Sequence, residues 1–405
     1  MQNTPKANRL HIGIFGKMNA GKSKLINTLT NQEISIVSDT PGTTTDPVEK
    51  SMEFLPLGPV VFIDTAGIND DGDLGKNRIE RTKKILDRTD IAIIVCDYNG
   101  WDDYELNLFK NLSERNIPTL AVINKLDIKD ITPQNFENIK QYIKAPLKTS
   151  LLKDNQIVTL LKQQLIRECP DEFITPPSIL EGLVNPSDTV ILVIPIDKEA
   201  PKGRLILPQV QILRDILDNG CKAFVTKVEE LENTLNELKN KPKIVITDSQ
   251  AFNEVNKIVP TDIDLTSFSI LFAKLKGDLK EFYNGAKSID TLKDGDKVLI
   301  CESCTHHQID DDIARVKIPR LIKNKVQKNI DFIYKSGHDF EDELKDYALI
   351  IHCGACMTNK KEILTRIMKC KNQNVPITNY GITIAHCLNI LDRAIKPFNI
   401  LDNRE

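Results

Sequence analysis

A chain of 405 residues is longer than one hydrophobic core organises, so two or three domains are expected. Apolar residues make up 40% and charged residues 27%, an ordinary globular balance, and the net charge of −3 lacks the basic excess of a nucleic-acid binder. No apolar run approaches the ~20 residues of a membrane span, and the stretch Met1 to Arg9 has no apolar core of a signal peptide. The expectation is a cytoplasmic protein with neither nucleic acid nor membrane as partner.

From residue 9 to 165, short apolar runs alternate with helix-like stretches. Strands are expected at Leu10–Phe15, Val60–Ile63, Ile91–Cys96 and Thr119–Ile123, and helices at Lys22–Leu29, Gly75–Asp87, Asp103–Arg115 and Asn155–Arg167. The alternation predicts a doubly wound α/β domain over residues 1–172. The proline-rich stretch Cys169–Ser178 reads as a linker, because its prolines cannot continue the preceding helix.

A second α/β pattern follows, over residues 173–272. Strands are expected at Thr189–Pro195, Lys222–Thr226, Lys243–Thr247 and Ser269–Leu271, with helices at Gln209–Asp218, Glu229–Leu238 and Ala251–Ile258. It shows no cluster of catalytic residue types, so a structural or assembly role is expected. A long helix at Gly277–Ile289 leads into a third α/β segment, residues 273–405. There strands fit Lys297–Cys301, Asp331–Tyr334, Tyr347–His352 and Val375–Asn379, and helices fit Lys360–Cys370 and Gly381–Ala394.

Gly16-x4-Gly21-Lys22-Ser23 lies between the first strand and the first helix, the context a phosphate-binding loop requires. Gly16 and Gly21 let backbone N–H groups close around phosphate oxygens, with Asn19, Ala20 and Lys24 in the same stretch, and the helix N-terminus adds partial positive charge. Lys22 is placed to reach the β- and γ-phosphates, and Ser23 to ligate Mg²⁺. Asp64-Thr-Ala-Gly67 ends a strand, where Asp64 can hold Mg²⁺ through water and the Gly67 N–H can meet the γ-phosphate. Asn124-Lys125-Leu-Asp127 ends another. An Asp there accepts two hydrogen bonds from guanine N1–H and its amino group, which adenine lacks, and a site so built discriminates strongly. Thr43-Thr44-Thr45-Asp46 falls where a γ-phosphate sensor belongs. GTP or GDP with Mg²⁺ is the predicted cofactor.

These motifs resemble the translation-factor-like GTPases, in the branch that contains the Era and tRNA-modification GTPases. The resemblance implies that Thr44 is the switch threonine on Mg²⁺. It places Ser150 and Leu151 in the last guanine-contacting loop, with Ser-Leu where the family has Ser-Ala. Ile68 stands where Ras-like proteins carry the glutamine that orients the attacking water. Asn19 matches an asparagine that helps potassium-activated relatives bind K⁺ beside the phosphates. The ion there supplies the charge that an arginine finger supplies elsewhere, worth about 10³–10⁵ in rate. Stabilising the loop alone is the plainer role for Asn19. Lys22, Asn19, Thr44 and Gly67 are the catalytic candidates of a GTP hydrolase stimulated by K⁺.

Six of nine cysteines and five of six histidines lie between Cys301 and Cys387. The clusters are Cys301-x2-Cys304-x-His306-His307 and His352-Cys353-x2-Cys356, each following a predicted strand. Spacing alone allows a four-cysteine zinc site from Cys301, Cys304, Cys353 and Cys356. It equally allows an iron–sulfur cluster on Cys304, Cys353 and Cys356. Cys370 and Cys387 read as core or surface thiols. His307, His338 and His386 read as structural or exposed, and Glu302 and Glu341 have no assigned role.

Cys304-x-His306, then 45 residues, then His352-Cys353-x2-Cys356 resembles the signature of the iron–iron hydrogenase maturation GTPases, and the similarity runs the length of the chain. The resemblance implies three domains, for GTPase activity, dimerisation and cluster binding. It implies a 4Fe–4S cluster on Cys304, Cys353 and Cys356, with an exchangeable fourth iron for which His352 and His306 are candidate ligands. It further implies a scaffold, homodimeric or of higher order, that accepts a di-iron precursor from two radical-SAM maturases and delivers it to the apo-hydrogenase, with GTP hydrolysis governing conformation or partner exchange. The alternatives are a ribosome- or RNA-associated Era-like GTPase and a zinc- or redox-sensing GTPase with four cysteine ligands. The first calls for a basic C-terminal module with a Gly-x-x-Gly clamp or stacking aromatics, and none is evident there; aromatics are 5% of the chain.

Overall fold

The computed structural model describes residues 5–30, 48–55, 57–65, 82–151, 153, 156–174, 176–196, 203, 205–302, 312–337, 340–355 and 358–400. The chain divides into two compact units, Met1–Pro176 and Pro177–Glu405. Among the described residues no helix is long and apolar enough to cross a membrane.

The first unit is a six-stranded sheet in the order β2-β3-β1-β4-β5-β6. Its strands are β1 (Leu10–Phe15), β2 (Val48–Glu53), β3 (Pro59–Asp64), β4 (Ile91–Cys96), β5 (Thr119–Ile123) and β6 (Leu147–Lys148). β2 runs antiparallel to β3 and every other pairing is parallel. β1 and β4 are buried along their whole length, as strands covered on both faces must be. One apolar cluster packs Leu25, Ile26 and Leu161 against one face, and another packs Leu108 and Leu112 against the other. The helix Asp103–Glu114 starts on a capping box. The Asp102 carboxylate accepts from the Tyr104 N–H, and the Glu105 carboxylate from the Asp102 N–H. Beside it Trp101 stacks on Tyr142 at 6.0 Å between ring centroids and leans on Phe109 at 5.8 Å.

The second unit holds two parallel four-stranded sheets. One has the order β10-β9-β7-β8, from β7 (Thr189–Val193), β8 (Lys222–Thr226), β9 (Ile244–Thr247) and β10 (Asp264–Ser267). The other has the order β12-β11-β13-β14, from β11 (Lys297–Glu302), β12 (Asp331–Ser336), β13 (Leu349–His352) and β14 (Ile377–Asn379). A single apolar cluster joins them, with Ile191, Val245 and Phe252 on one side and Leu299, Ile350 and Ile377 on the other. Completely burying a side chain such as Phe252 contributes about 1.5–3 kcal/mol. The architecture is α/β throughout, with a doubly wound first domain and two further α/β modules.

Several elements differ from expectation. Ser269–Leu271 is helical, inside Phe268–Lys276. β10 ends at Ser267, whose hydroxyl accepts from the Ile270 N–H and caps the helix at once. A short apolar run does not separate strand from helix by its period, and the cap decides here. Gly381–Ala394 is two helices, Tyr380–Cys387 and Leu391–Ile395, parted where Asn389 turns left-handed at φ 58°. The linker Cys169–Ser178 carries a short helix, Asp171–Ile174. Of the helix expected at Gly75–Asp87, the part before Thr82 lies outside the described residues.

Candidate functional site

β1 lies between β3 and β4, so the chain leaves its carboxyl end at a switch in strand order, where open α/β sheets bind ligands. The loop Gly16–Ser23 starts there. Gly16 has φ 143°, and a Cβ on it would lie 2.1 Å from the Val95 carbonyl oxygen. Gly21 has φ 108°, and its Cβ would lie 2.2 Å from the Asn124 amide nitrogen. Only glycine satisfies both the conformation and the space. Asn19 is exposed and left-handed, at φ 61°.

The Lys22 amine is buried under this loop and donates to the carbonyls of Gly16 at 2.9 Å and Lys17 at 2.8 Å. Burial lowers its pKa, and nearby Asp64 partly restores it. The Ser23 hydroxyl donates to Asp64 Oδ2 at 2.7 Å. Burial raises the Asp64 pKa, against the opposing effects of Ser23 and Lys22. Asp64 Oδ1 is buried with no hydrogen-bond partner among the described residues. A hydroxyl, a carboxylate and an orphaned carboxylate oxygen suit a divalent cation bound directly or through water.

Asn124 ties the site together. Its amide donates to the Ala20 carbonyl at 3.0 Å, and its side-chain oxygen accepts from the Leu151 N–H at 3.1 Å. The phosphate loop and the Thr149-Ser150-Leu151 loop therefore meet on one side chain. Lys125 is left-handed at φ 63°, and the exposed Asp127 carboxylate follows. The Ser150 hydroxyl stabilises the charged form of Asp127 and holds its pKa below the ordinary value. Lys24 is exposed on the first turn of the helix Lys22–Thr30. Thr44, Asp46, Gly67 and Ile68 lie outside the described residues.

Two carboxylates escaped sequence reasoning. Lys17, inside the phosphate loop, pairs with Asp102 and lies 3.4 Å from buried Glu105. The signal was the Asp102-x-x-Glu105 capping box, which reads as local until the fold places it beside the loop.

The cysteine region sits at a second switch point, where β11 lies between β12 and β13. Register sets Cys301 opposite His352, and the Cys353 N–H donates to the Cys301 carbonyl at 2.9 Å. Cys301 is 1% exposed, and burial pushes its thiol up to about 12. The side chain faces the core. Cys353 is half-buried and lines a small cleft with His352, Gly354, Lys276 and Asn379. An accessible cysteine beside a glycine at a cleft suits a thiolate ligand. Among the described residues no three His, Cys, Asp or Glu side chains converge as metal ligands. Cys304, His306, His307, His338 and Cys356 lie outside the described residues.

His352 is buried, and both ring nitrogens are engaged. Nδ1 donates to the Cys353 carbonyl at 2.8 Å, and Nε2 accepts from the Arg366 guanidinium at 2.7 Å. Arg366 also donates to the Gly337 carbonyl at 3.1 Å and pairs with buried Glu362. For His352 to ligate a metal, one of these bonds must break. Glu362 and Arg366, spaced i,i+4 on the helix Lys360–Asn372, were the missed signal. Cys370 is buried, His386 bonds Asp290 at 3.1 Å, Glu302 pairs with Arg315 at 2.7 Å, and Tyr347 donates to Glu341 at 2.8 Å.

Fold and nucleotide site together define a P-loop GTPase domain followed by two α/β modules. Residues 11–125 match the family described as 50S ribosome-binding GTPase. Residues 179–277 match the hydrogen maturase F dimerization domain, and residues 280–397 the hydrogen maturase F tetramerization domain. The chain belongs to the hydrogen maturase F family.

Curated relatives resemble the first unit. The tRNA modification GTPase MnmE of Prochlorococcus marinus is 41% identical over 155 residues, 38% of this chain and 31% of its own length. The GTPase Der of Wolinella succinogenes is 34% identical over 167 residues, 39% of this chain and 35% of its own. The chain thus spans about a third of the length of the curated relatives it matches. The crystal structure of a single-residue variant of Aquifex aeolicus Era bound to GDP.AlF4- aligns over 54% of this chain and 93% of its own, at 22% identity and a TM-score of 0.34.

Proposed function

We propose that this chain is a GTP-hydrolysing scaffold and carrier in assembly of the iron–iron hydrogenase active site. The observation that carries it is one chain holding both the phosphate-loop geometry around Lys22 and the two hydrogen maturase F modules, with Cys353 at a cleft in the second. Residues 1–172 bind GTP, 173–272 dimerise, and 273–405 carry the cluster, in the cytoplasm.

In the nucleotide site the buried Lys22 amine exchanges its two carbonyl partners for phosphate oxygens. Ser23, Asp64 and Thr44 hold Mg²⁺, Asp127 reads guanine, and the Gly67 N–H meets the γ-phosphate. Asn19 contributes to a K⁺ site, which supplies the positive charge that an arginine finger supplies elsewhere. Cys304, Cys353 and Cys356 hold a 4Fe–4S cluster, which supplies an iron with an exchangeable coordination position. His306 is a candidate for that position, and His352 qualifies only when released from Arg366. The cargo is a di-iron precursor, received from two radical-SAM maturases and passed to apo-hydrogenase.

The test combines GTP turnover with anaerobic iron loading. Turnover is expected to be at least about tenfold faster in K⁺ than in Na⁺, and lost in Lys22→Ala. About four irons per chain are expected, falling sharply in Cys353→Ser with turnover retained. Equal rates in the two salts sink the K⁺ site, and one zinc in a colourless protein sinks the cluster.

A further inference from the structure

Two buried cations grip the segment that carries Cys353. Arg366 holds His352 on one side. Lys276 holds the other, from the last position of the helix Phe268–Lys276, at the joint between the two matched modules. Lys276 is 5% exposed. Its amine donates to the Ala355 carbonyl at 2.9 Å and the Thr358 carbonyl at 3.0 Å, two groups that bracket Cys356 in sequence. Ala355 is left-handed at φ 55°, a conformation a non-glycine residue keeps when its surroundings hold it. The helix end packs closely against the next helix, since a Cβ on Gly277 would lie 2.5 Å from the Phe282 ring.

We propose that Lys276 is a positioning residue for the Cys353-x-x-Cys356 segment, making the end of the dimerization-type module the anchor of the cysteine loop. A shift of that helix end is then passed through one ammonium group to the Ala355 and Thr358 carbonyls, and so to the backbone that carries Cys353. What the loop carries rests on the cluster reading, but the anchoring concerns the metal-free chain.

The test alkylates the full metal-free chain with iodoacetamide and follows each cysteine by mass spectrometry. Lys276→Met keeps the length of the side chain and removes its donors, while Lys276→Arg keeps charge and donors. Cys353 and Cys356 are expected to react about tenfold faster in the Met variant, the scale of one lost charge-assisted hydrogen bond. The Arg variant is expected near wild type, with Cys301 and Cys370 unchanged throughout. Unchanged rates at Cys353 and Cys356 overturn the proposal, as does equal acceleration at Cys301 and Cys370, which marks general loosening. Hydrogen exchange on the wild-type chain needs no variant. The Thr358 amide, which donates to the Ala355 carbonyl that Lys276 also holds, is expected to be protected, and exchange there as fast as in a free peptide overturns the anchor. A chain that takes up no iron yet shows the alkylation pattern refutes the cluster and leaves Lys276 standing.

Discussion

At the residue scale the nucleotide site depends on side chains that hold each other. Asn124 bonds both Ala20 and Leu151, so the Gly16–Ser23 loop and the Thr149-Ser150-Leu151 loop are held by one amide. Asp127 is different, because it stands exposed and ionised, stabilised by Ser150. Asp127→Ala should weaken GTP binding by about 100-fold, since two hydrogen bonds to a charged acceptor are lost. ATP binding should change little. Fluorescent-nucleotide titration checks both, and an equal loss for the two nucleotides would remove guanine reading from Asp127. The His352–Arg366–Glu362 chain shows the same mutual holding at the cysteine region.

At the element scale, close approach explains positions that propensity alone leaves puzzling. Gly285 lies inside the helix Leu279–Lys287, where glycine is a poor choice, yet a Cβ there would meet the Ile377 carbonyl oxygen of β14 at 1.9 Å. Gly285→Ala should destabilise the second unit by about 1–3 kcal/mol, read as a lower denaturant midpoint; a rise would mean that helix propensity wins over the clash. The long apolar strands were legible because strands buried on both faces read as continuous runs, as β1, β4 and β5 do. β2 was not, since Val48–Glu53 is a largely polar edge strand with no such run. The helix Pro133–Lys140 carried a cap and an N1 proline, Thr132-Pro133, but little apolar periodicity. The phosphate loop was legible whole, because its chemistry is local. The grips of Lys276 and Arg366 were not, because each joins segments about 80 and 14 residues apart through folding alone.

At the scale of the whole molecule, buried thiols give the second unit a pH limit. Burial pushes Cys301, Cys370 and Cys387 up to about 12 from an ordinary 9.0. Below the ordinary value both folded and unfolded chains keep the proton, and the thiols' contribution is complete. Between about 9 and 12 only the unfolded chain ionises, so it binds fewer protons and stability falls as pH rises. Thermal unfolding by circular dichroism should show this decline above about pH 9, shallower in Cys370→Ala; an identical slope in the two proteins would count against it. Circular dichroism is the right probe for a reason that lies in the first unit. The chain has one tryptophan, Trp101, stacked on Tyr142 and adjacent to Asp102, the partner of Lys17 in the phosphate loop. The protein therefore carries its own optical gauge. Intrinsic emission excited at the indole band reports on one end of the chain only, one residue away from a phosphate-loop contact. Nucleotide arrival should register there with no added dye, while events among the cysteines remain dark to it.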